Sequence, residues 1–560
     1  MAKKQRAGLN HSQWLGAIVI GILIVVLIVT FTSKKASKKD TKQIVIGITQ
    51  EPDTLDPLFQ EMAASTELYA LYFEDMVERN ENWDLMPRLV TMIPSIENGL
   101  IKKLPQNKMQ VTWHLKEGLK WADGTPITPQ DFIFTHEMIM DDRLPIISRD
   151  LDRRIEKMQA PNDHTLIVTW KEPYAYANLG HGALPKHIVE PEYKKNPEKY
   201  KESFFNSKPL GNGPYQLEEW VSGSHLVFKR NENWGGDKPN FEKVIYKIIP
   251  NTNALESNLL SGTIDAISPL GLPLDQALDF ERRHGTKFAF HYRPSMTWEH
   301  IDCNLEDPIL KDKRVRQALL YSANRQQIVD VLFQGKQQVA DTWLPPKHYG
   351  YNPKVAHYNY DPDKAKKLLE EAGWVLSPSG VRVNKRGDKL HLTLMSTAGN
   401  KTREQVEQVL QSDWSKIGIE LEIINQPPKV FFGETMRHRK YKQMALYAWV
   451  VGPVSDGEGL WTKENIPSEK NNWNGQNYPG WVNEQANKID HTVPVTLEES
   501  IRKDLLQQQQ VLWADEVPAL PMFFRTDVSV THKDLANWKM TGTTTPITWN
   551  SEQWRFSLLK

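Results

Sequence analysis

One segment of this 560-residue chain obeys a different solvent from the rest. Trp14 to Phe31 (WLGAIVIGILIVVLIVTF) is 18 residues long and carries no charge. At 1.5 Å per residue a helix of that length spans about 27 Å, enough to cross a bilayer core. Lys3, Lys4 and Arg6 precede it, as in the n-region of an export signal. The apolar run is longer than the core of a cleavable signal, and Thr32-Ser-Lys-Lys-Ala-Ser-Lys-Lys39 offers poor cleavage sites. The expectation is therefore an uncleaved transmembrane signal anchor at 14–31, behind a basic n-region at 1–13 and ahead of a Lys-rich tether at 32–42. The alternative is a cleaved signal that leaves a soluble periplasmic protein. The lysines at 34, 35, 38, 39 and 42 outnumber the upstream charges, so charge alone favours the opposite orientation. Export rests on the body that follows.

That body has ordinary globular composition. The chain balances 69 basic against 69 acidic residues, which argues against a nucleic-acid protein with its basic stripe. Its single cysteine, Cys303, excludes an intrachain disulfide and any cysteine-rich metal site, and reads as a packed residue. Short β-branched and aromatic runs mark strands at Gln43–Thr49, Val111–Leu115 and Thr165–Trp170. Thr128, Pro129 and Asp131 form a capping-box pattern at the start of a helix. The second half alternates helix and strand: a long helix over Arg314–Phe333, one after Asp361-Pro362, a strand at Lys389–Met395, a helix at Thr402–Lys416 and a strand at Ile419–Asn425. A strand at Met444–Val451, a helix at Thr496–Asp515 and a strand at Leu520–Val530 complete it. Such alternation implies α/β lobes with mixed sheets.

Catalytic spacings are missing. There is no G-x-S-x-G, no H-E-x-x-H and no phosphate loop ending in Gly-Lys-Ser/Thr. Gly211-Asn-Gly213 lacks a third glycine, and Met140 stands where a second zinc histidine would follow His136-Glu137. The sixteen histidines are scattered, and His438 sits in a basic, solvated stretch. Glu51, Asp53 and Asp56 lie in a Pro-rich turn where such residues cap backbone groups. The chain offers instead aromatics at polar, turn-rich places. Trp473-Asn474-Gly475-Gln476-Asn477-Tyr478-Pro479-Gly480-Trp481 is the densest, with Trp449, Trp461, Trp298 and Trp343 near strand ends. Aromatic faces and amides together suit a site that reads shape and hydrogen bonds without chemistry, and equally suit a packed interior.

Several motifs in order carry a resemblance. Glu51-Pro-Asp-Thr-Leu-Asp-Pro57, Trp113-His-Leu-Lys-Glu-Gly118, Trp121-Ala-Asp-Gly-Thr-Pro126 with Thr128-Pro-Gln-Asp131, and Leu184-Pro-Lys-His187 come first. Gly211-Asn-Gly-Pro-Tyr215, Lys229-Arg-Asn231 with Trp234, Ser261-Gly-Thr-Ile-Asp265, Val315-Arg-Gln-Ala318 and Asp363–Gly373 follow. From Gln43 onward the chain resembles the extracytoplasmic solute-binding proteins of bacterial ABC importers, in the family 5 group of oligopeptide- and dipeptide-binding proteins. The resemblance implies an α/β, three-lobed periplasmic binding protein-like fold of the hinge-bending type II. Lobe I would be assembled from 43–71, 188–286 and 531–560, lobe II from 72–187 and lobe III from 287–530. It implies capture of a peptide or similar oligomer without catalysis and without a cofactor; a nickel or haem ligand is also known for the family, but the lack of a tight histidine group argues against a metal site here. It also implies a monomer that delivers its ligand to an inner-membrane permease.

Relatives that import peptides carry a strand-ending tryptophan followed three residues later by an aspartate that pairs with the peptide's amino group. Trp449 matches the tryptophan, but Gly452 stands at the aspartate's place, and Asp456 substitutes only if the loop 452–455 curls back. An ammonium without that partner is expensive to bury, which leaves modified peptides, opine-like compounds and oligosaccharides open. The expected ligand-binding set is Trp298, Trp449, Asp456, Trp473, Asn474, Gln476, Asn477 and Tyr478. Two other readings stay in view: an anchored cell-wall hydrolase or transglycosylase, and a binding receptor without transport coupling.

Overall fold

The computed structural model describes residues 42–60, 62–146 and 149–557. The expected n-region, anchor and nearly all of the tether lie outside the described residues. Among the described residues no helix is long and apolar enough to cross a membrane. The chain separates into two compact units, Met1–Gln43 and Ile44–Lys560, and the architecture below is that of the second.

The elements that place the site run as follows. β1 (Gln43–Ile48) leads to α1 (Ala63–Tyr72). Strands β2 (Ile101–Leu104), β3 (Lys108–His114), β4 (Ile155–Asn162) and β5 (Thr165–Trp170) make a separate antiparallel sheet in the order β2-β3-β5-β4. Along β3, Met109, Val111 and Trp113 are buried while Lys108, Gln110 and Thr112 are not, the two-residue period of a half-buried strand. Then come β6 (Tyr215–Val221), β7 (His225–Arg230), β8 (Lys243–Ile248), β9 (Ala266–Ile267), α2 (Leu274–His284) and the long β10 (Phe288–Cys303). Helices α3 (Lys313–Ser322) and α4 (Arg325–Phe333) precede β11 (His391–Thr397), α5 (Lys401–Ser415), β12 (Glu420–Gln426) and β13 (Met444–Val450). Helix α6 (Glu499–Glu516) leads into β14 (Ala519–His532).

One eleven-stranded sheet runs through the body in the order β12-β11-β13-β10-β14-β9-β1-β8-β7-β6, with the short strand Gln338–Val339 beside β14. Its two ends are joined by β10 and β14. These strands pair antiparallel from Phe288↔His532 to Asp302↔Ala519. β9 borrows β14 at one end (Ala266↔Thr531), and β13 borrows β10 at the other (Thr297↔Val450 to Cys303↔Met444). The β10–β14 register slips between Pro294 and Trp298 and again after Glu299. Pro294 supplies no N–H to the ladder, and such irregularities bend and twist a strand pair. The connection is therefore two strands with a weakened middle.

The Gly211-Asn-Gly213 motif is structural. A Cβ at Gly211 would stand 1.7 Å from the carbonyl oxygen of Tyr72, and one at Gly213 would stand 2.8 Å from that of Leu71. Asn212 Oδ1 accepts the N–H of Glu74. Only glycine lets these two crossing segments touch. The capping box at Thr128 forms as expected, Asp131 Oδ2 accepting the Thr128 N–H at 2.9 Å. The single helix expected over Arg314–Phe333 is two. Asn324 stops the first, and its side chain caps the second by accepting the Gln327 N–H. Glu51, Asp53 and Asp56 hold structure: Glu51 accepts from Trp220 and Gly223, Asp53 from Ser65, and Asp56 from Leu58. Cys303 is fully buried, and burial pushes its thiol up to about 12.

Candidate functional site

A cavity of about 1050 Å³ is lined by residues from both halves of the long sheet and the segments that flank them. From one half come Thr49, just past β1, residues 269–275 between β9 and the start of α2, and the C-terminal segment 541–547. From the other come Thr297 and Glu299 of β10, Thr402 and Arg403 of α5, Ala448 and Val450 of β13, and Arg525 and Asp527 of β14. β1 and β9 are parallel, as are β11, β12 and β13. Each group presents the carboxyl ends of parallel strands to the cavity, where open α/β sheets bind ligands.

The charged floor is a glutamate between two arginines. Glu299 is almost wholly buried. Arg403 Nε donates to its Oε1 at 2.5 Å, and Arg525 donates to its Oε2 from Nε at 2.9 Å and from Nη2 at 2.5 Å. Arg403 also donates to Thr397 Oγ1 at 2.9 Å. Burial alone would raise the Glu299 carboxyl, but the two guanidinium charges and their hydrogen bonds overcome it and hold it down at about 2. The group is a fixed carboxylate.

The remaining acids of the cavity are not clamped in this way. Burial pushes Asp527 up to about 6, against the opposing charge of Arg525, and Glu67 up to about 8 despite a hydrogen bond from Ser268. Asp275 on the facing wall keeps Oδ1 buried and without a partner among the described residues, an acceptor for a ligand N–H. Phe432 and Val450 give the rim apolar surface, being 44% and 57% exposed. The site is mixed in polarity. Among the described residues no group of three or more metal-ligating side chains stands together.

The eight residues expected at the cleft lie elsewhere. None lines this cavity. Leu446, Ala448 and Val450 of β13 face it, so the strand period turns Trp449 to the other side, where it stacks on Tyr478 at 6.1 Å. Trp298 is fully buried among His300, Trp461 and Trp513, which makes its indole core. Asn477, also fully buried, spends its amide N–H groups on the carbonyls of Trp461, Thr462 and Trp481. Asn474 and Gln476 are exposed, and Trp473 packs edge-on against His438, 5.0 Å away. His438 is thus a packing partner where a solvated side chain was expected. The loop after Trp449 does curl, Ser455 accepting the Gly452 N–H through Oγ and returning its own N–H to the Gly452 carbonyl. That turn carries Asp456 toward Tyr174, Tyr176 and Tyr349, where burial pushes its carboxyl up to about 6.

Glu299, Arg403 and Arg525 escaped the sequence reading. A signal for two of them was present: Glu299 in TWEHIDC and Arg525 in PMFFRTDVSV are charges inside strands rich in aromatic and aliphatic residues. Charged side chains are almost never buried unless paired, so two such strands announce a pair. Arg403, on an amphipathic helix, gave no comparable signal.

Known proteins align with the chain over this whole region. The family described as bacterial extracellular solute-binding proteins, family 5 Middle, matches residues 95–465, more than half of the chain. An oligopeptide-binding protein from Thermus thermophilus, solved with a pentapeptide, is 30% identical, with a TM-score of 0.75 over 92% of this chain and 96% of that one. Oligopeptide-binding protein AppA of Bacillus subtilis (strain 168) is 26% identical over 471 residues, covering 82% of both chains. The nickel-binding periplasmic protein of Escherichia coli (strain K12) is 25% identical over 497 residues, covering 87% of this chain and 90% of that protein.

Proposed function

This chain belongs to the bacterial extracellular solute-binding proteins of family 5, and from that premise we propose that it captures a peptide or similar oligomeric solute for an ABC importer. The ligand sits in the cavity floored by Glu299, Arg403 and Arg525. The observation that carries this reading is the cavity's position: its lining comes from both halves of a sheet joined by β10 and β14, whose register slips at Pro294–Trp298. Two bodies on a two-strand connection close on a ligand by hinge bending. In this reading lobe I is 43–71 with 188–286 and 531–560, lobe II is 72–187 and lobe III is 287–530. Closure brings together the surface that a permease in the inner membrane recognises. Trp14–Phe31 holds the receptor at the membrane, with 32–42 as its tether, and the protein acts as a monomeric receptor with no catalytic step. The relatives above are binding proteins by name, in keeping with capture.

Native mass spectrometry of the full chain, purified in mild detergent, tests this. The expected result is a population of retained peptides, one per chain, released on denaturation. Retained sugars, or turnover of added peptides into products, would overturn it.

A further inference from the structure

The floor of the cavity holds two guanidinium groups and one carboxylate. Both oxygens of Glu299 are occupied, Oε1 by Arg403 and Oε2 by Arg525. Arg525 uses only one edge of its fork, Nε and Nη2, on Glu299. Its Nη1 has no partner among the described residues, and its side chain is 37% exposed where Arg403 is 10% exposed. A guanidinium with a free Nη1–Nη2 edge is shaped to take a second carboxylate bidentately.

We propose that Arg525 receives a carboxylate of the captured ligand, and so sets the receptor's preference for ligands that carry a free carboxylate over those that carry none. The inference rests on the capture reading above. Arg403 acts as a positioning residue: it neutralises Glu299 from the other side, so that Arg525 is not spent on that carboxylate. The other carboxyls bordering the cavity do not replace the ligand's. Glu67 is pushed up to about 8 by burial and is largely protonated at neutral pH. Asp527, pushed up to about 6, is half-buried on the same strand face two residues beyond Arg525 and feels its charge, but forms no hydrogen bond or ion pair with it among the described residues. Asp275 comes from the opposite wall, on α2, and forms no hydrogen bond or ion pair with Arg525. The ligand's carboxylate is supplied by its C-terminus or by an acidic side chain, and the same fork serves either.

The full chain in detergent, freed of retained ligand by dialysis, is titrated calorimetrically with three tetrapeptide pools. The first has neutral side chains and a free C-terminus, the second is the same pool amidated, and the third is amidated with one glutamate per peptide. The expected result is that the first or third pool binds at least about tenfold tighter than the second, the size of one charge-assisted contact. Tight binding of the first pool identifies the terminus, and of the third the side chain. Arg525→Gln should bring all three pools within about twofold of one another. Should that variant fold poorly, the comparison of pools on the unaltered chain still decides. Equal binding of the amidated neutral pool, or a preference that survives Arg525→Gln, overturns the assignment while leaving capture intact. Binding of none of the pools overturns the peptide reading itself and the assignment with it.

Discussion

Two regions of this protein bury carboxylates, and they treat them in opposite ways. At the cavity floor Glu299 lies between Arg403 and Arg525 and stays ionised, its carboxyl held at about 2. Behind the tryptophan cluster of Trp298, Trp461 and Trp513, Asp490 is fully buried, and no cation is paired with it among the described residues. Burial pushes Asp490 well above the aspartate range, and the neighbouring charge of Asp456 pushes the same way, outweighing the amide of Gln509. One region spends two arginines to keep a charge, and the other buries an acid in aromatic packing with no paired cation among the described residues, which raises its pKa. A fixed charge on a cavity wall can orient a ligand, whereas burial in a core works against holding one.

The largest effect expected is on the aromatic side. Trp298→Ala removes a fully buried indole and should destabilise the protein by about 3–5 kcal/mol in urea titrations. Ligand affinity of the folded fraction should not change. A loss of affinity without loss of stability would return Trp298 to the binding site.

Glu299→Gln comes next, at about 3 kcal/mol, because the carboxyl sits roughly 2.5 units below its ordinary value of 4.5 and each unit is worth about 1.4 kcal/mol. The sign follows from the depressed value. The contribution is complete above pH 4.5 and disappears as the pH falls through about 2. The stability gap between the unaltered chain and the variant should therefore be widest near neutrality and close across that window. A gap that does not change with pH would mean that the carboxylate is not held by charge.

The smallest effect has the opposite sign. Asp490→Asn should stabilise the protein by about 1 kcal/mol at about pH 8, the size of a typical single-site gain. The native acid must take up a proton to fold, and asparagine need not. Its raised value makes this cost grow as pH rises above the ordinary 3.8, so the gain should shrink as pH falls toward that value. Destabilisation by Asp490→Asn at that same alkaline pH would show that the acid is ionised and partnered, and would erase the contrast between the two regions.

The sheet-building strands, the capping box at Thr128 and the helix after Asp361 were readable because each rests on local rules of period and capping. The break at Asn324 was not. Asn324 breaks the helix through a local cap on Gln327 N–H together with a long-range partner, Asp413, whose carboxylate accepts the Asn324 N–H. The expected ligand residues and the cavity differ for a related reason. Tryptophan density suits a ligand surface and a packed interior alike, and here Trp481 and Trp513 are buried, Trp481 Nε1 donating to Glu516. Large aromatics bury the most area and pack cores first. Glu299 and Arg525 come together because β10 and β14 pair across a long stretch of intervening sequence, and no local pattern encodes that pairing.

Hydrogen–deuterium exchange of the full chain with and without the acidic tetrapeptide pool compares the two regions in one experiment. Ligand binding at the Glu299–Arg403–Arg525 floor predicts new protection at 268–275, 297–299, 400–406 and 523–528, with 473–481 unchanged. Protection concentrated at 473–481, with none around Glu299 and Arg525, would contradict it.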